Sequence, residues 1–574
     1  MQRMKKEFRY VTILILIIIC IFQYGIRKIF GFTIYPDEFG YWASAAKSVG
    51  YDWSEVASMG SYYSFGYSAF LIPILAIFSN GVTAYRAAVF LNMLLMCVCV
   101  FLFQKIMEKI FPEVEKGRSI LASGIAVLYP SWIFYMQMTM AEGILFFLFV
   151  LACYLFVIFL DTQRVTAAVF LGVTLIYLYC VHMRTVGVLI ACIICLMLWA
   201  IAGNGKKKRL FLFGIAVALT GILAFYMKNR TVEEVFTYAK QSELVGNDYQ
   251  SQWGKIADIF TFSGFVRFLQ EIIGKIFYLG LASFGLFYPA YGWCAKNSIV
   301  LFRNVRDKKM IQIRNWFALF LLLAVSGEVL ISSIFMHGSK TLDSLIYGRY
   351  NDFLVPMMML VGVVIMCRNR LWWVFTLTCG TLSGGMALLL LGMAERYQMS
   401  KLRGYHIAGI SFLIDEKNSN IALYFRDTWL LGFGLMILVS LLIWLSNRWK
   451  SSWWMLTGIL TIEIVAGIQI SDHYIYPANN TNYESLQIAD CLRDHCEEKD
   501  VIYFLDEEKP EFVDFIQIQL TDKPIHVTTR EEYEENGIFA DFLLTSADTQ
   551  YDKELSAQYS QRLETNTFCL YYNQ

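Results

Sequence analysis

Two adjacent carboxylates, Asp37 and Glu38, follow the first long apolar segment of this 574-residue chain. They lie in the sequence Tyr35-Pro36-Asp37-Glu38-Phe39-Gly40-Tyr41-Trp42. Pro36 predicts that the apolar helix has ended before them. Acidic residues next to a bilayer are energetically costly and are usually kept there for function, and a positioned carboxylate can accept a proton from a nucleophile. The pair therefore marks a candidate reaction centre, although both acids could instead cap the next helix.

Other charged residues are predicted at the same membrane depth, near the ends of further apolar segments. They are Arg86, Glu142, His182, Arg184, Lys340 and Arg349. Acids and bases that come from separate connections but share one depth predict a reaction centre at one membrane face. Structural explanations also exist: arginines can extend to lipid headgroups, Glu142 can interact with a helix dipole, and Arg349 can pair with the nearby Asp352.

The composition is that of an integral membrane protein. Hydrophobic residues make up 57% of the chain and charged residues 17%, whereas soluble domains contain about 25% charged residues. Because a helix of roughly 20 apolar residues crosses a bilayer, the sequence predicts about thirteen crossings. The predicted segments are 11 to 33, 84 to 104, 119 to 135, 141 to 160, 165 to 182, 186 to 203, 210 to 227, 274 to 302, 315 to 336, 352 to 367, 371 to 393, 424 to 446 and 453 to 471.

The basic residues predict a plasma-membrane protein with a cytoplasmic N-terminus. Arg3, Lys5, Lys6 and Arg9 precede the first segment, whereas the first outer loop, 34 to 85, contains a single lysine. Cytoplasmic loops are enriched in Lys and Arg. An odd number of crossings then places the acidic pair and the C-terminus on the outer side.

The chain is predicted to have two domains, a transmembrane domain of residues 1 to 471 and an outer domain of residues 472 to 574. The second contains 22 Asp and Glu against 7 Lys and Arg, which gives it a net charge of −15. Helical and strand patterns alternate within it. The fold class is therefore an all-α polytopic membrane protein with a small C-terminal α/β extracytoplasmic domain. Without a glycine-rich phosphate loop, this domain is expected to act as a scaffold or to dock an acceptor.

One further connection, residues 394 to 423, is polar and basic. It contains Arg396, Lys401, Arg403 and His406. Two interpretations remain open for it, a mobile loop near an anionic lipid and a simple solvated connection.

Several short motifs follow the acidic pair in a fixed order. They are Tyr62-Tyr63-Ser64-Phe65-Gly66-Tyr67, Phe70-Leu71-Ile72-Pro73, Tyr129-Pro130 with Glu142, Met183-Arg184-Thr185, and Gly348-Arg349-Tyr350 with Pro356. This order resembles the GT-C superfamily of glycosyltransferases that use polyprenyl-phosphate sugars. Within it, residues 1 to 370 are most similar to the branch of protein O-mannosyltransferases and lipid A aminoarabinose transferases. The usual Arg-Pro turn of that branch is Arg184-Thr185 here.

The resemblance implies transfer of a sugar from a lipid-linked donor to a protein, lipid or cell-wall glycan at the outer face. On this basis Asp37 is the expected general base, and Glu38 would orient it or the acceptor. Arg349 is the first candidate for the donor phosphate, because a guanidinium offers paired hydrogen-bond donors. Arg184, Lys340 and His182 are second candidates for that role. Glu142, Arg86 and Tyr350 are expected to support the site.

Partners and cofactors follow from the same resemblance. The expected partners are the polyprenyl-phosphate donor, an unknown acceptor and membrane lipids, with no nucleic acid. The isoprenoid tail is expected to lie against Phe284, Phe287 and Tyr288. A divalent metal could bridge Asp37, Glu142 and the phosphate, but too few acids converge to require one.

Two other classes of function remain open. One is a membrane polymerase or ligase that joins lipid-linked surface glycans, which would use the same donors. The other is a transporter, which would need polar groups throughout the membrane. Only Glu328 and Glu463 are predicted deep in the membrane, so an enzyme at one face is favoured.

Overall fold

The computed structural model describes residues 2–60, 64–203, 207–239, 252–417, 420–448, 452–496, 501–506, 511–535 and 540–573. Tyr62 and Tyr63, from the motif after the acidic pair, lie outside these ranges. In the part of the chain that is described, nine helices are long and apolar enough to cross a membrane. Two bent helix pairs raise this number to eleven if each pair counts as one span.

The helices of the membrane domain follow the predicted apolar segments in order, and two of the segments, 119 to 135 and 274 to 302, are each divided between two helices. They are Gln2–Ile26, Gly81–Ile110, Lys116–Val127, Pro130–Met136, Ala141–Thr162, Val165–Val181, Val186–Ile201, Lys207–Val235, Phe262–Ala282, Phe287–Arg306, Ile313–Met336, Val355–Arg368, Trp372–Arg396, Tyr424–Arg448 and Thr457–His495. The prediction of thirteen crossings exceeds eleven because Val165–Val181 and Val355–Arg368 have 17 and 14 residues, fewer than the roughly 20 that a perpendicular span needs.

Shorter helices occupy the connections. They are Asp37–Val49, Ser54–Ser58, Ser68–Ile77, Trp253–Ile259, Leu342–Leu345 and Ala408–Ser411, with 3-10 turns at Met183–Thr185, Asp352–Leu354, Gly404–Ile407, Ile421–Leu423 and Ser452–Leu456. Three of these helices lie in residues 27–80, which we call the first connection.

The start of the first connection differs from the prediction. The first membrane helix already ends at Ile26, so Pro36 is not what stops it. Pro36 instead directly precedes the helix Asp37–Val49, and its φ of −62° already matches helical geometry. Asp37 and Glu38 form the first turn of this helix and make no side-chain cap. Carboxylates in a first turn interact favourably with the helix dipole.

The C-terminal domain contains a five-stranded mixed sheet in the order β2-β1-β3-β5-β4. The strands are β1 (Ile502–Asp506), β2 (Ile525–Thr529), β3 (Phe542–Ser546), β4 (Gln561–Glu564) and β5 (Phe568–Tyr572). β1 pairs in parallel with β2 and β3, and β5 pairs antiparallel with β3 and β4. Helices Asp514–Gln519, Arg530–Glu535 and Asp552–Gln558 accompany the sheet. The α/β prediction is confirmed, but β4 was missed because this edge strand is polar and mostly exposed.

A continuous helix joins the two domains. Thr457–His495 has 39 residues and contains Pro477, and the predicted boundary between residues 471 and 472 lies inside it. The part of this helix beyond the membrane segment contacts the first connection. The Asn479 side-chain oxygen accepts hydrogen bonds from the backbone N–H groups of Phe30 at 2.7 Å and Gly31 at 3.0 Å. The helix therefore fixes the point at which the chain leaves the first membrane helix.

The sheet side of the C-terminal domain also contacts the first connection. Trp53 Nε1 donates to the backbone oxygen of Thr521 at 2.9 Å. The Glu55 carboxylate pairs with His526 and accepts from the backbone N–H of Val527, each at 2.8 Å. The connection that carries Asp37 is thus held between the membrane helices and the C-terminal domain.

Candidate active site

Four of the predicted site residues form one continuous chain of ion pairs. Arg349 Nη2 contacts Asp37 Oδ2, and Arg349 Nε donates to Glu142 Oε1 at 2.9 Å. Arg184 Nη2 donates to the same Glu142 oxygen at 2.8 Å. The Asp37 side chain is 21% exposed, whereas the Arg349, Glu142 and Arg184 side chains are 7%, 2% and 1% exposed. This Asp37–Arg349–Glu142–Arg184 network therefore reaches solvent mainly through Asp37.

Each member of the network lies at the start of a helix, within a short turn or just before one. Asp37 begins Asp37–Val49, and Glu142 lies in the first turn of Ala141–Thr162. Arg184 lies in the turn Met183–Thr185 before Val186–Ile201. Arg349 precedes the turn Asp352–Leu354. Helix termini leave backbone groups unpaired and the chain irregular, so these positions can direct charged side chains toward one point.

Aromatic rings cover both guanidinium groups. Arg184 Cζ lies 4.4 Å from the ring centroid of Tyr350, and Arg349 Cζ lies 4.7 Å from that of Tyr35. A cation over an aromatic face is attracted by the ring quadrupole, more strongly where water is excluded. Tyr350, predicted as a supporting residue, thus contacts the network directly. The role of Tyr35 was not predicted.

Several polar atoms of the network remain unsatisfied. Arg184 Nε and Nη1 and Glu142 Oε2 are buried and have no hydrogen-bond partner among the described residues. Buried donors without partners are rare in native proteins, and each one needs an explanation. Nε and Nη1 lie on different edges of the guanidinium, so each can donate to a separate anionic oxygen.

Glu38 is placed differently from Asp37. Its two carboxylate oxygens accept five hydrogen bonds, from the backbone N–H and hydroxyl of Thr33 and of Thr139 and from the Tyr85 hydroxyl, at 2.5 to 2.9 Å. The residue is fully buried. Glu38 therefore ties the first connection to two other elements, and no direct contact joins it to Asp37 in the described hydrogen bonds.

The remaining predicted residues lie around the network or away from it. His182 accepts from the backbone N–H of Arg184 at 3.4 Å, and its ring lies 5.8 Å from that of Tyr350. Arg86 Nε donates to the backbone oxygen of Ile29 at 2.8 Å, so it anchors the first connection. The Lys340 side chain is exposed and has no ion pair with the network in the described structure.

Sequence reasoning missed a buried Asp–His pair beside the network. His406 Nδ1 lies 2.7 Å from Asp343 Oδ2, and the His406 backbone oxygen accepts from the N–H groups of Gly348 and Arg349 at 3.0 and 2.9 Å. The connection 394 to 423 was predicted to be mobile or solvated, but at His406 it packs against the site. The two residues are 63 positions apart, so no motif spacing could have revealed them.

The two acids predicted deep in the membrane, Glu328 and Glu463, have different hydrogen-bond environments. Glu328 Oε1 accepts a hydrogen bond from the backbone N–H of Val188 at 3.2 Å. Because Val188 is only four residues after Arg184, Glu328 lies next to the site. Glu463 is fully buried, and neither of its oxygens has a partner in the described ranges.

The geometry does not suit a metal bridging Asp37 and Glu142. The Arg349 guanidinium contacts both carboxylates and thus occupies the bridging position with a positive charge. Within the described residues there is no group of three or more His, Cys, Asp or Glu that could hold a metal ion.

Comparison with known proteins identifies the fold. No family model and no curated protein matches the chain. Among solved structures, ArnT from Cupriavidus metallidurans bound to undecaprenyl phosphate matches with a TM-score of 0.52 and 13% identity, over 98% of this chain and 97% of ArnT. Its apo state gives a TM-score of 0.50, and ArnT is a GT-C glycosyltransferase. The chain has a GT-C fold.

A second GT-C protein also matches. The archaeal oligosaccharyltransferase AglB from Archaeoglobus fulgidus, in complex with an inhibitory peptide and a dolichol-phosphate, has a TM-score of 0.43 and 10% identity, over 96% of this chain and 71% of AglB. The match to ArnT extends over nearly the whole chain. The GT-C fold therefore includes the C-terminal domain as well as residues 1 to 370, which carry the motifs.

Proposed function

We propose that this chain is a glycosyltransferase that moves a sugar from a polyprenyl-phosphate donor to an acceptor at the outer membrane face, with Asp37 as general base. The observation that carries the proposal is the Asp37–Arg349–Glu142–Arg184 network. It combines one partly exposed carboxylate with two buried guanidinium groups, which come from separate connections of the membrane domain.

The unsatisfied atoms of Arg184 support donor-phosphate binding. A phosphate oxygen near Arg184 Nε or Nη1 would satisfy one of these buried donors. Arg349 would share the same anion, because its own guanidinium joins Arg184 through Glu142. Charge-assisted hydrogen bonds of this kind stabilise the negative charge that collects on a departing phosphate. Arg184 thus becomes as strong a candidate for the phosphate as Arg349.

An apolar groove next to Arg184 supports binding of the lipid tail. It has a volume of about 410 Å³, and its lining includes Phe65, Ile176, Cys180, Met183, Leu189 and Phe225. Met183 lines the groove and immediately precedes Arg184, the residue that we propose for the phosphate. Of the three residues that were expected to contact the tail, Phe284 and Phe287 are buried in the protein core and Tyr288 is half-buried, so we move the proposed tail site to this groove.

Asp37 is suited to receive the acceptor proton. Its Oδ2 contacts Arg349, while Oδ1 has no hydrogen-bond partner among the described residues. When the acceptor attacks the anomeric carbon, its proton would pass to Asp37. The bond from that carbon to the phosphate oxygen breaks, and the electron pair leaves with the polyprenyl phosphate between the two arginines.

Replacing Asp37 by Asn tests this proposal. Asn keeps the shape of the side chain but removes its basicity, so transfer should fall by ~10² to 10⁴ while donor binding persists. The assay measures release of undecaprenyl phosphate from a panel of undecaprenyl-phosphate hexoses and pentoses, with a cell-envelope fraction as acceptor source. Asp52→Asn, an exposed acid of the same connection, is the matched control and should retain activity. Normal transfer by Asp37→Asn would exclude Asp37 as the base.

A further inference from the structure

The Asp343–His406 pair lies directly behind the Asp37–Arg349 contact. The His406 ring stacks on Tyr35 at 6.3 Å between centroids, and Tyr35 is also the ring that covers Arg349. The ring of Tyr347 lies 4.9 Å from that of His406. Tyr35 is thus a neighbour of both the His406 ring and the Arg349 guanidinium.

The backbone around His406 binds Arg349 directly and also binds Tyr35, which precedes Asp37 in the first connection. The His406 carbonyl oxygen accepts from the Arg349 N–H at 2.9 Å. The preceding carbonyl oxygen, of Tyr405, accepts from the Tyr35 hydroxyl at 2.7 Å, two residues before Asp37. The turn Gly404–Ile407 therefore fixes the His406 side chain relative to the reacting groups.

The side-chain geometry is that of an oriented base. Asp343, whose side chain is 2% exposed, contacts Nδ1 of His406 at 2.7 Å. When Nδ1 donates its proton to a carboxylate, the lone pair of the neutral ring is on Nε2. Nε2 of His406 has no hydrogen-bond partner in the described structure, and the side chain remains 11% exposed. A carboxylate that orients a histidine in this way also stabilises the imidazolium formed when Nε2 takes a proton.

We propose that His406, oriented by Asp343, is a second proton acceptor of this site, which takes up the proton that Asp37 removes from the acceptor group. The inference rests on the proposed glycosyl transfer and adds a second proton-accepting residue to it. Asp37 takes the acceptor's O–H or N–H proton as the new bond forms at the anomeric carbon and the electron pair of the broken bond leaves on the phosphate. The proton then passes from Asp37 to Nε2 of His406, and Asp37 is again the carboxylate that pairs with Arg349.

The charged groups around His406 favour the neutral ring. Burial lowers the pKa of His406 below its ordinary value of 6.5; Arg349 and Arg403 lower it further, while Asp343 opposes them. The imidazole is then unprotonated at pH 7 and able to accept a proton. Transfer by the wild-type protein should decline as the pH falls through that lowered pKa, below 6.5.

Two substitutions separate a role in chemistry from a role in structure. His406→Asn keeps an amide N–H near the position of Nδ1, so it can still donate to Asp343, but it has no atom at Nε2. His406→Gln places an amide near Nε2 but cannot accept a proton there. Both variants should lower kcat by ~10² or more. The donor KM should stay within about 2-fold, because the backbone contact to Arg349 is unchanged, and the acidic decline in rate should disappear.

The outcomes are separable from those of the Asp37 experiment. If either folded variant transfers at the wild-type rate while Asp37→Asn is impaired, His406 is not a proton acceptor and the proposed function stands. If His406→Asn is active and only His406→Gln is impaired, the pair merely holds structure, which also overturns the inference. Absence of donor turnover by the wild-type protein would overturn the proposed function and this inference together. Circular dichroism and gel filtration establish that each variant is folded.

Discussion

Arg349 joins the two carboxylates of the site through different nitrogens of one guanidinium. Nη2 contacts Asp37, and Nε contacts Glu142 at 2.9 Å. A lysine ammonium is a point charge on a flexible stem and cannot hold both contacts in a fixed plane. The position of Asp37 therefore depends on the shape of the Arg349 side chain as well as on its charge.

We expect Arg349→Lys to reduce use of the lipid donor by at least ~10-fold, because one charged hydrogen bond contributes about 1.5 to 3 kcal/mol. Donor titrations of the purified variant measure this effect as a rise in KM and a fall in kcat/KM. Arg396→Lys is the matched control, since Arg396 is exposed at the end of Trp372–Arg396. Donor kinetics equal to wild type in the Arg349 variant would assign this arginine a structural role.

We expect a substitution of Glu38 to lower the thermal stability of the protein, because this residue holds the first connection in place. All five of its hydrogen bonds are donated by its neighbours, so the NH₂ group of a glutamine would face donors such as the Thr139 N–H. A buried mismatch of this kind costs about 1 to 3 kcal/mol. We expect Glu38→Gln to lower the Tm in detergent, measured by differential scanning fluorimetry. A variant with unchanged Tm but no transfer would instead place Glu38 in the chemistry.

The sequence predicts which residues share the site but not how they pair. Asp37, Glu142, Arg184 and Arg349 are identified because each lies near the end of an apolar segment at one membrane depth. Their contacts join residues that are 312, 207 and 42 positions apart. Only tertiary packing decides which carboxylate meets which guanidinium. The same reason explains why Asp343 was not predicted as the partner of His406.

At the scale of elements, the first connection is stabilised by the C-terminal domain as well as by membrane helices. Asn479 binds two backbone N–H groups just after the first membrane helix, and Trp53 and Glu55 bind the sheet side of the domain. Runs of roughly 20 apolar residues predict the membrane helices well, because the thickness of the hydrocarbon core imposes this length. It cannot predict such contacts, nor that the last membrane helix continues to His495.

The Glu55–His526 pair should make this docking depend on pH. The hydrogen bond to Glu55 raises the pKa of His526 above its ordinary value of 6.5. A group whose pKa is raised by folding stabilises the folded state fully below its unfolded pKa, and this stabilisation is lost as the pH rises through the raised pKa. Burial alone would raise the pKa of Glu55, but the His526 and Val527 hydrogen bonds lower it below 4.5. The Glu55 contribution is therefore present above pH 4.5 and lost at lower pH.

The pair should consequently be strongest between about pH 4.5 and 6.5. A double-mutant cycle with Glu55→Gln and His526→Gln should show a favourable coupling in Tm at pH 5.5 that shrinks at pH 8.5. Both side chains are partly exposed, at 27% and 41%, so added salt should weaken the coupling. A coupling that is equal at both pH values would show that the ionised pair does not hold the domains together.

At the scale of the whole molecule, the site and the C-terminal domain lie at the same end of the helical bundle, since the first connection contacts both. The orientation of this end relative to the membrane decides which donors and acceptors can reach it. The distribution of basic residues predicts that this end is outside, which remains a prediction. The strongly acidic C-terminal domain, with 22 Asp and Glu against 7 Lys and Arg, is on the same side.

Cysteine labelling tests this orientation directly. Single cysteines at Glu531, in the helix Arg530–Glu535, and at Met310, before Ile313–Met336, would replace side chains that are both exposed. In a background in which the native cysteines are replaced, a membrane-impermeant maleimide should label Glu531→Cys in intact cells, and Met310→Cys only after permeabilisation. Because the two positions lie on opposite sides in the predicted topology, each serves as the control for the other. Labelling of Met310→Cys alone in intact cells would reverse the topology and place Asp37, Arg349 and the donor groove at the cytoplasmic face, where a transferase would meet a different set of acceptors.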